Sequence, residues 1–149
     1  EDNGFYLKAE DVLALVTPAT RLLILNSPAN PTGGAVPKAE IDRLATGLER
    51  HPRVAILSDE IYGRIIYGGR AHASLLAYPH LRERLIVLDG WSKTYAMTGW
   101  RLGFGVWPQS WGEAATRWID HDGVERAPLA RARGEGLRGV ARTRFDAVG

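Results

Sequence analysis

The chain has 149 residues, of which 45% are hydrophobic and 24% charged, with a formal net charge of +2 and no cysteine. That length suits one soluble domain burying about 70% of its unfolded surface, and the composition excludes disordered and fibrous classes, disulfides and thiolate metal sites. So small a net charge gives no basis for a nucleic-acid or membrane partner. With no signal-peptide pattern and no apolar run of about 18 residues, the expected compartment is the cytoplasm.

In chain order, the first clear element is the apolar run from Arg21 to Leu25, bounded by Pro18 and Pro28, which reads as a buried strand. Pro37 to Arg50 follows, with Ile41, Leu44, Ala45 and Leu48 on one face at helical spacing and Pro37 tolerable in the first turn. Val54 to Leu57, between Pro52 and Asp59, is a second strand, which completes a strand-helix-strand unit of about 30 residues. His72 to Arg84 is irregular and interrupted by Pro79, and reads as loop plus short helix. Leu85 to Leu88 is the third strand. Right-handed crossovers then predict an α/β fold, a mostly parallel sheet with helices on both faces. Arg101 to Trp107 is strand-like but follows too soon for a helical crossover, so it is expected to pair antiparallel with a neighbour. Pro108 to Ile119 reads as a helix with Trp111, Ala114, Ala115 and Trp118 on one side. From Asp120 to Gly149 the apolar periodicity fades into Arg, Ala and Gly, and that tail is expected to be poorly ordered.

Chemistry gathers where the strands end. In open α/β sheets ligands bind beyond the carboxyl ends of the strands, and Asn30, Asp59, Tyr62 and Lys93 all fall there. Each has an ordinary reading alone: Asn30-Pro31-Thr32-Gly33 is turn chemistry, Asp59 a surface acid, Tyr62 a packed ring, Lys93 and Arg101 solvated cations. Together they supply an amide, an acid, a phenol, an amine and a guanidinium at one sheet edge, the parts of a Schiff-base cofactor site, though another anionic aromatic ligand would meet the same groups. A nucleotide phosphate loop is disfavoured because no glycine-rich run precedes Ser92-Lys93-Thr94. His51, His72, His80 and His121 are scattered without i, i+4 pairing, so no metal site is expected.

Three blocks carry a resemblance: Asn26-Ser-Pro-Ala-Asn-Pro-Thr-Gly33, Ser58-Asp-Glu-Ile-Tyr62 and Ser92-Lys-Thr-Tyr-Ala-Met-Thr-Gly-Trp-Arg-Leu-Gly103. In this order they resemble the class I/II aminotransferases, the fold-type I enzymes that use pyridoxal 5'-phosphate and include aspartate aminotransferase. The resemblance runs from about Phe5, through Tyr67 to Ser74, to about Trp118. It implies that residues 1–119 are part of the large, cofactor-binding domain, and that 120–149 is an off-family tail.

By position, the resemblance implies that Lys93 forms the Schiff base with the cofactor aldehyde and later shuttles a proton, as nucleophile and acid/base in one. Asp59 would face the pyridine nitrogen, Asn30 and Tyr62 would donate to the phenolic oxygen, and Arg101 would grip the phosphate. The implied partners are an amino acid and a 2-oxo acid, and the implied assembly is a homodimer. The family's glycine-rich phosphate segment, stacking aromatic and carboxylate-binding arginine have no counterpart here. Two readings of function follow: an aminotransferase carried on an incomplete chain, or a truncated, frameshifted or cofactor-binding product without turnover.

Overall fold

The computed structural model describes residues 5–112 and 143–144, the last two in backbone only. Five strands form one sheet in the order β1 (Leu22–Asn26), β2 (Ala55–Asp59), β3 (Leu85–Gly90), β4 (Leu102–Val106) and β5 (Thr143–Arg144). β1, β2 and β3 are parallel, and β4 lies antiparallel to β3, as its short separation from β3 requires. β5 pairs antiparallel with the start of β4, Leu102 opposite Arg144. Helix α1 spans Ala9–Ala14 and helix α2 spans Lys38–Leu48. The connection from β2 to β3 contains 3-10 turns at Leu75–Ala77 and Pro79–Arg84.

The register explains the core. Leu23, Ile56 and Leu85 form one cross-strand row, and Leu25, Ser58, Val87 and Val106 form another. Because side chains alternate along a strand, both rows share a face. Ile41, Leu44 and Leu48 of α2 join Leu25, Ile56, Leu85 and Val87 in one buried cluster, with Leu75 and Leu81 from the 3-10 turns. α1 joins through Ala9, which is buried, and through Leu13, packed against the same cluster. The other face carries Ile24, Leu57 and Ile86 in one row and Asn26, Asp59 and Leu88 in the next.

Among the described residues, helices α1 and α2 lie against one face of the sheet. Ile24 is 64% exposed and Leu88 38% exposed, while Leu25, Ile56, Leu85 and Val87 on the opposite rows are buried. The reason is topological. The strands step steadily from β1 to β2 to β3, and right-handed crossovers that keep stepping one way put every connection on the same face. A change of face needs a reversal of strand order, and the described strands contain none.

Two smaller expectations are sharpened. β3 runs two residues past Leu88, to Gly90, which brings the strand to the doorstep of Lys93. Of the helix expected over 108–119, the described part is a 3-10 turn at Gln109–Trp111. The remainder, and the tail apart from β5, lie outside the described residues.

Candidate active site

The site begins with the turn from β3 into α3 (Trp91–Thr94), a single helical turn that carries Lys93. Gly90 stands before it, where a Cβ would sit 2.9 Å from the carbonyl oxygen of Leu102 and 3.0 Å from the Cα of Gly103. Only a residue without a side chain lets the strands approach this closely. The turn is held onto β4 by the Trp91 and Phe104 rings, tilted at 59° with centroids 5.3 Å apart, an arrangement aromatic pairs favour. Lys93 is thereby exposed at the carboxyl end of β3, and its Nζ lies 5.9 Å from the centroid of the Tyr62 ring.

Tyr62 and Asp59 come from the end of β2. Asp59 is the last residue of that strand, half-buried in the row between Asn26 and Leu88, and its Oδ1 accepts from the Ile61 amide at 3.2 Å. Asn30 is exposed, and its backbone amide donates to Oδ1 of Asn26 at 2.9 Å. The Asn26 side-chain amide donates in turn to the carbonyl of Asp59 at 3.4 Å. The loop after β1 is thus tied to the end of β2 through one side chain. The Lys93 amine lies over the Tyr62 ring, and Asn30 and Asp59 are linked through Asn26.

Arg101 stands apart. It lies at the entry to β4, exposed, with φ of 50°, a left-handed conformation that costs a non-glycine residue about 1–2 kcal/mol. Its Nη1 donates to the Thr98 carbonyl at 3.4 Å. Among the described residues, no hydrogen bond or ion pair joins it to Lys93, Asp59 or Tyr62. What it shares with Lys93 is one short connection, 91–101, which leaves β3 and returns as β4.

Sequence reasoning missed the groups that hold this site from behind. Glu60 is buried on the covered face, its Oε1 accepting from Ser58 Oγ at 2.9 Å, Ser74 Oγ at 3.0 Å and the Leu75 amide at 3.3 Å. Its Oε2 lies 2.8 Å from Nε2 of His72. Burial pushes the Glu60 carboxyl up, but hydrogen bonds from His72, Ser74 and Ser58 with the His72 charge outweigh it, and the net direction is down. Asp89, on β3, is pushed above the ordinary carboxylate range by burial, against the hydrogen bond from the Gly90 amide. The Glu60 charge adds to that rise, while Arg64 and His72 oppose it. Glu60, His72 and Ser74 all lie in stretches that carried the resemblance, but nothing in their spacing showed that they meet.

The arrangement places an amine, a phenol and a carboxylate at the carboxyl edge of three parallel strands, where open α/β sheets bind ligands. Comparison with known proteins defines the class. The family model "Aminotransferase class I and II" matches residues 1–144, and the chain belongs to that family. It is 41% identical over 107 residues to the bifunctional aspartate aminotransferase and glutamate/aspartate-prephenate aminotransferase of Petunia hybrida, covering 72% of this chain and 22% of that protein. It is 42% identical over 107 residues to the arginine–pyruvate transaminase of Pseudomonas aeruginosa, covering 72% and 27%. The solved aspartate aminotransferase of Rhizobium meliloti superposes with a TM-score of 0.77 at 38% identity, over 82% of this chain and 31% of that one. The chain thus spans about a quarter of the length of the curated relatives it matches.

Proposed function

We propose that this chain carries the lysine-bearing cofactor edge of a pyridoxal-phosphate-dependent aminotransferase, which moves an amino group between an amino acid and a 2-oxo acid. The observation that carries the reading is the contact of Lys93 with Tyr62 at 5.9 Å, one strand from Asp59, at the carboxyl ends of parallel strands. The donor set fits the cofactor: an amine for an aldehyde, a carboxylate for a ring nitrogen, neutral donors for a phenolic oxygen and a guanidinium for a phosphate. When bound, pyridoxal phosphate supplies an electron sink for the substrate α-carbon.

The residues divide the remaining work. Lys93 is the nucleophile and moves the proton at the substrate α-carbon, a role that suits an exposed amine on a short turn. Asp59 would hold a proton on the ring nitrogen. Tyr62 donates its hydroxyl to the phenolic oxygen, as does the side chain of Asn30, which Asn26 keeps beside β2. Arg101, exposed beside the Thr98 carbonyl, would hold the phosphate.

The relatives are named for aspartate, prephenate, arginine and pyruvate chemistry, so the substrate class is kept at amino acid plus 2-oxo acid. A homodimer belongs to the same reading, supported by the open sheet face at Ile24 and Leu88. A cytoplasmic setting is part of the same proposal. Among the described residues, no helix is long and apolar enough to cross a membrane.

Absorbance titration of the purified protein with pyridoxal phosphate tests the proposal. The expected result is a visible band that Lys93→Ala abolishes; no band, or one that survives that substitution, sinks it. Because the chain spans about a quarter of its relatives, turnover with an amino donor and 2-oxoglutarate is scored separately. A band without turnover selects the cofactor-binding reading.

A further inference from the structure

Glu60 is the buried charge that this division of labour leaves unused. Asp59 and Glu60 are successive carboxylates that face opposite ways, because strand side chains alternate. Asp59 lies on the open face beside Leu88, while Glu60 turns into the covered one. Its Oε1 accepts from Ser58, Ser74 and the Leu75 amide and its Oε2 faces His72, so both oxygens are bonded within the fold.

The backbone of the same residue builds the turn that carries Tyr62. The Glu60 amide donates to the Leu88 carbonyl at 2.8 Å, which docks the turn on β3, and the Glu60 carbonyl accepts from the Gly63 amide at 2.7 Å. A Cβ on Gly63 would stand 3.0 Å from that carbonyl and 3.0 Å from Cδ2 of His72. The His72 ring therefore lies flush against the turn while Glu60 holds its Nε2. The charges of Glu60 and His72 act in opposite directions on Asp89 of β3.

Burying a carboxylate is costly even when it is bonded, and an apolar side chain would fill the space at less cost. What the carboxylate adds is direction. We propose that Glu60 and His72 are a positioning pair for Tyr62: they lock the 60–63 turn so that the ring stays against Lys93 and the hydroxyl meets its acceptor. This rests on the aminotransferase reading only for what the hydroxyl contacts; the locking of the turn does not depend on it.

Two measurements test the pair. In the protein without cofactor, amide hydrogen exchange at Gly63 and Ile65, whose amides donate to Glu60 and Tyr62, should quicken about tenfold or more in Glu60→Ala and in His72→Ala. Amides of Ile56 and Val87 should keep their protection, and Glu60→Gln, which keeps one acceptor oxygen for Ser58, Ser74 and the Leu75 amide but turns the other into a donor toward His72, should recover part of the loss. In the loaded protein, the pH at which the visible band changes should move in Glu60→Ala as it moves in Tyr62→Phe, and the double variant should move no further than Tyr62→Phe alone. Unchanged exchange at Gly63 and Ile65, or spectral shifts that add, overturns the proposal. Should Glu60→Ala fail to fold, His72→Ala and Glu60→Gln carry both measurements. If the unsubstituted protein gives no visible band, the aminotransferase reading fails and the exchange result alone decides the pair.

Discussion

Lys93 and Tyr62 meet at 5.9 Å, ammonium over ring face, although β3 lies between them in the chain. An exposed contact of this kind contributes about 0.5–1 kcal/mol, and a hydrogen bond from the phenol about 0.5–1.5 kcal/mol. Tyr62→Phe keeps the ring and should weaken pyridoxal phosphate binding about 2- to 10-fold on the second term alone. Tyr62→Leu also loses the ring face, but that contact is with the free ammonium, which Schiff-base formation consumes, so it should weaken binding no further than Tyr62→Phe. Absorbance titrations of both variants decide it. An unchanged affinity in Tyr62→Phe would mean that the hydroxyl does not meet the cofactor.

Gly90 is predicted to be irreplaceable for a reason of distance. A methyl group there meets the Leu102 carbonyl at 2.9 Å and the Gly103 Cα at 3.0 Å, both backbone, so β3 and β4 must separate. Overpacking of this sort costs about 1–3 kcal/mol. Gly90→Ala should lower the urea midpoint accordingly and abolish the visible band, because α3 and Lys93 begin at this residue. Gly99→Ala is the control, since nothing lies within 4 Å of its added Cβ. A normal midpoint and band in Gly90→Ala would mean that the two strands can yield.

How much of this was legible in the chain depends on the kind of signal each feature leaves. The three parallel strands and α2 were legible because apolar runs and helical spacing at Ile41, Leu44, Ala45 and Leu48 directly encode burial. Asn30, Asp59, Tyr62 and Lys93 were legible as residues at strand ends, and of these the structure sets the Lys93 amine over the Tyr62 ring. Arg101 was legible only through resemblance, and its side chain rests on Thr98. The Glu60–His72 pair, Asn26 and Arg84 were not legible, because their partners are brought by tertiary structure and leave no period in the sequence. Which face α1 and α2 cover was not legible, because strand order, which decides the side taken by each crossover, cannot be read from the strands themselves.

Arg84 replaces a missing helix cap. α2 ends with no basic residue in its last turn, and its final carbonyls need donors. Arg84, at the end of the turn before β3, donates Nη2 to the Leu48 carbonyl at 2.8 Å and Nη1 to those of His51 at 3.0 Å and Val54 at 2.7 Å. Hydrogen bonds to a charged group contribute about 1.5–3 kcal/mol each in favourable cases, though removals sharing one side chain do not add. Arg84→Ala should cost about 2–4 kcal/mol in urea unfolding. Arg84→Lys should recover less than half, since a point charge cannot span three carbonyls. A loss no larger than that of Arg82→Ala, which frees only the Leu76 carbonyl, would refute the cap.

Tyr78 and Asp42 join the second 3-10 turn to α2 and give the fold an alkaline limit. The phenol donates to Oδ1 of Asp42 at 2.5 Å. Its pKa is raised to about 12, first by burial and then by the hydrogen bond and charge of Asp42. Lys38 and then Tyr78 hold the Asp42 carboxyl below its ordinary range. For a group whose folded value exceeds its unfolded one, the stabilisation is complete below the unfolded value, here 10.0, and is lost as pH climbs through the folded value. Stability should therefore be flat from neutral pH to about 10 and should fall between about 10 and 12. Ultraviolet titration should show one of the five tyrosines ionising at the top of that window. Tyr78→Phe should remove that late step and lower stability near pH 7 by about 1 kcal/mol, the usual net contribution of one hydrogen bond. It should also leave the variant less sensitive to alkali than the parent, because the group whose ionisation breaks the contact is gone. A parent and variant that lose stability in parallel above pH 10 would show that Tyr78 does not set the limit.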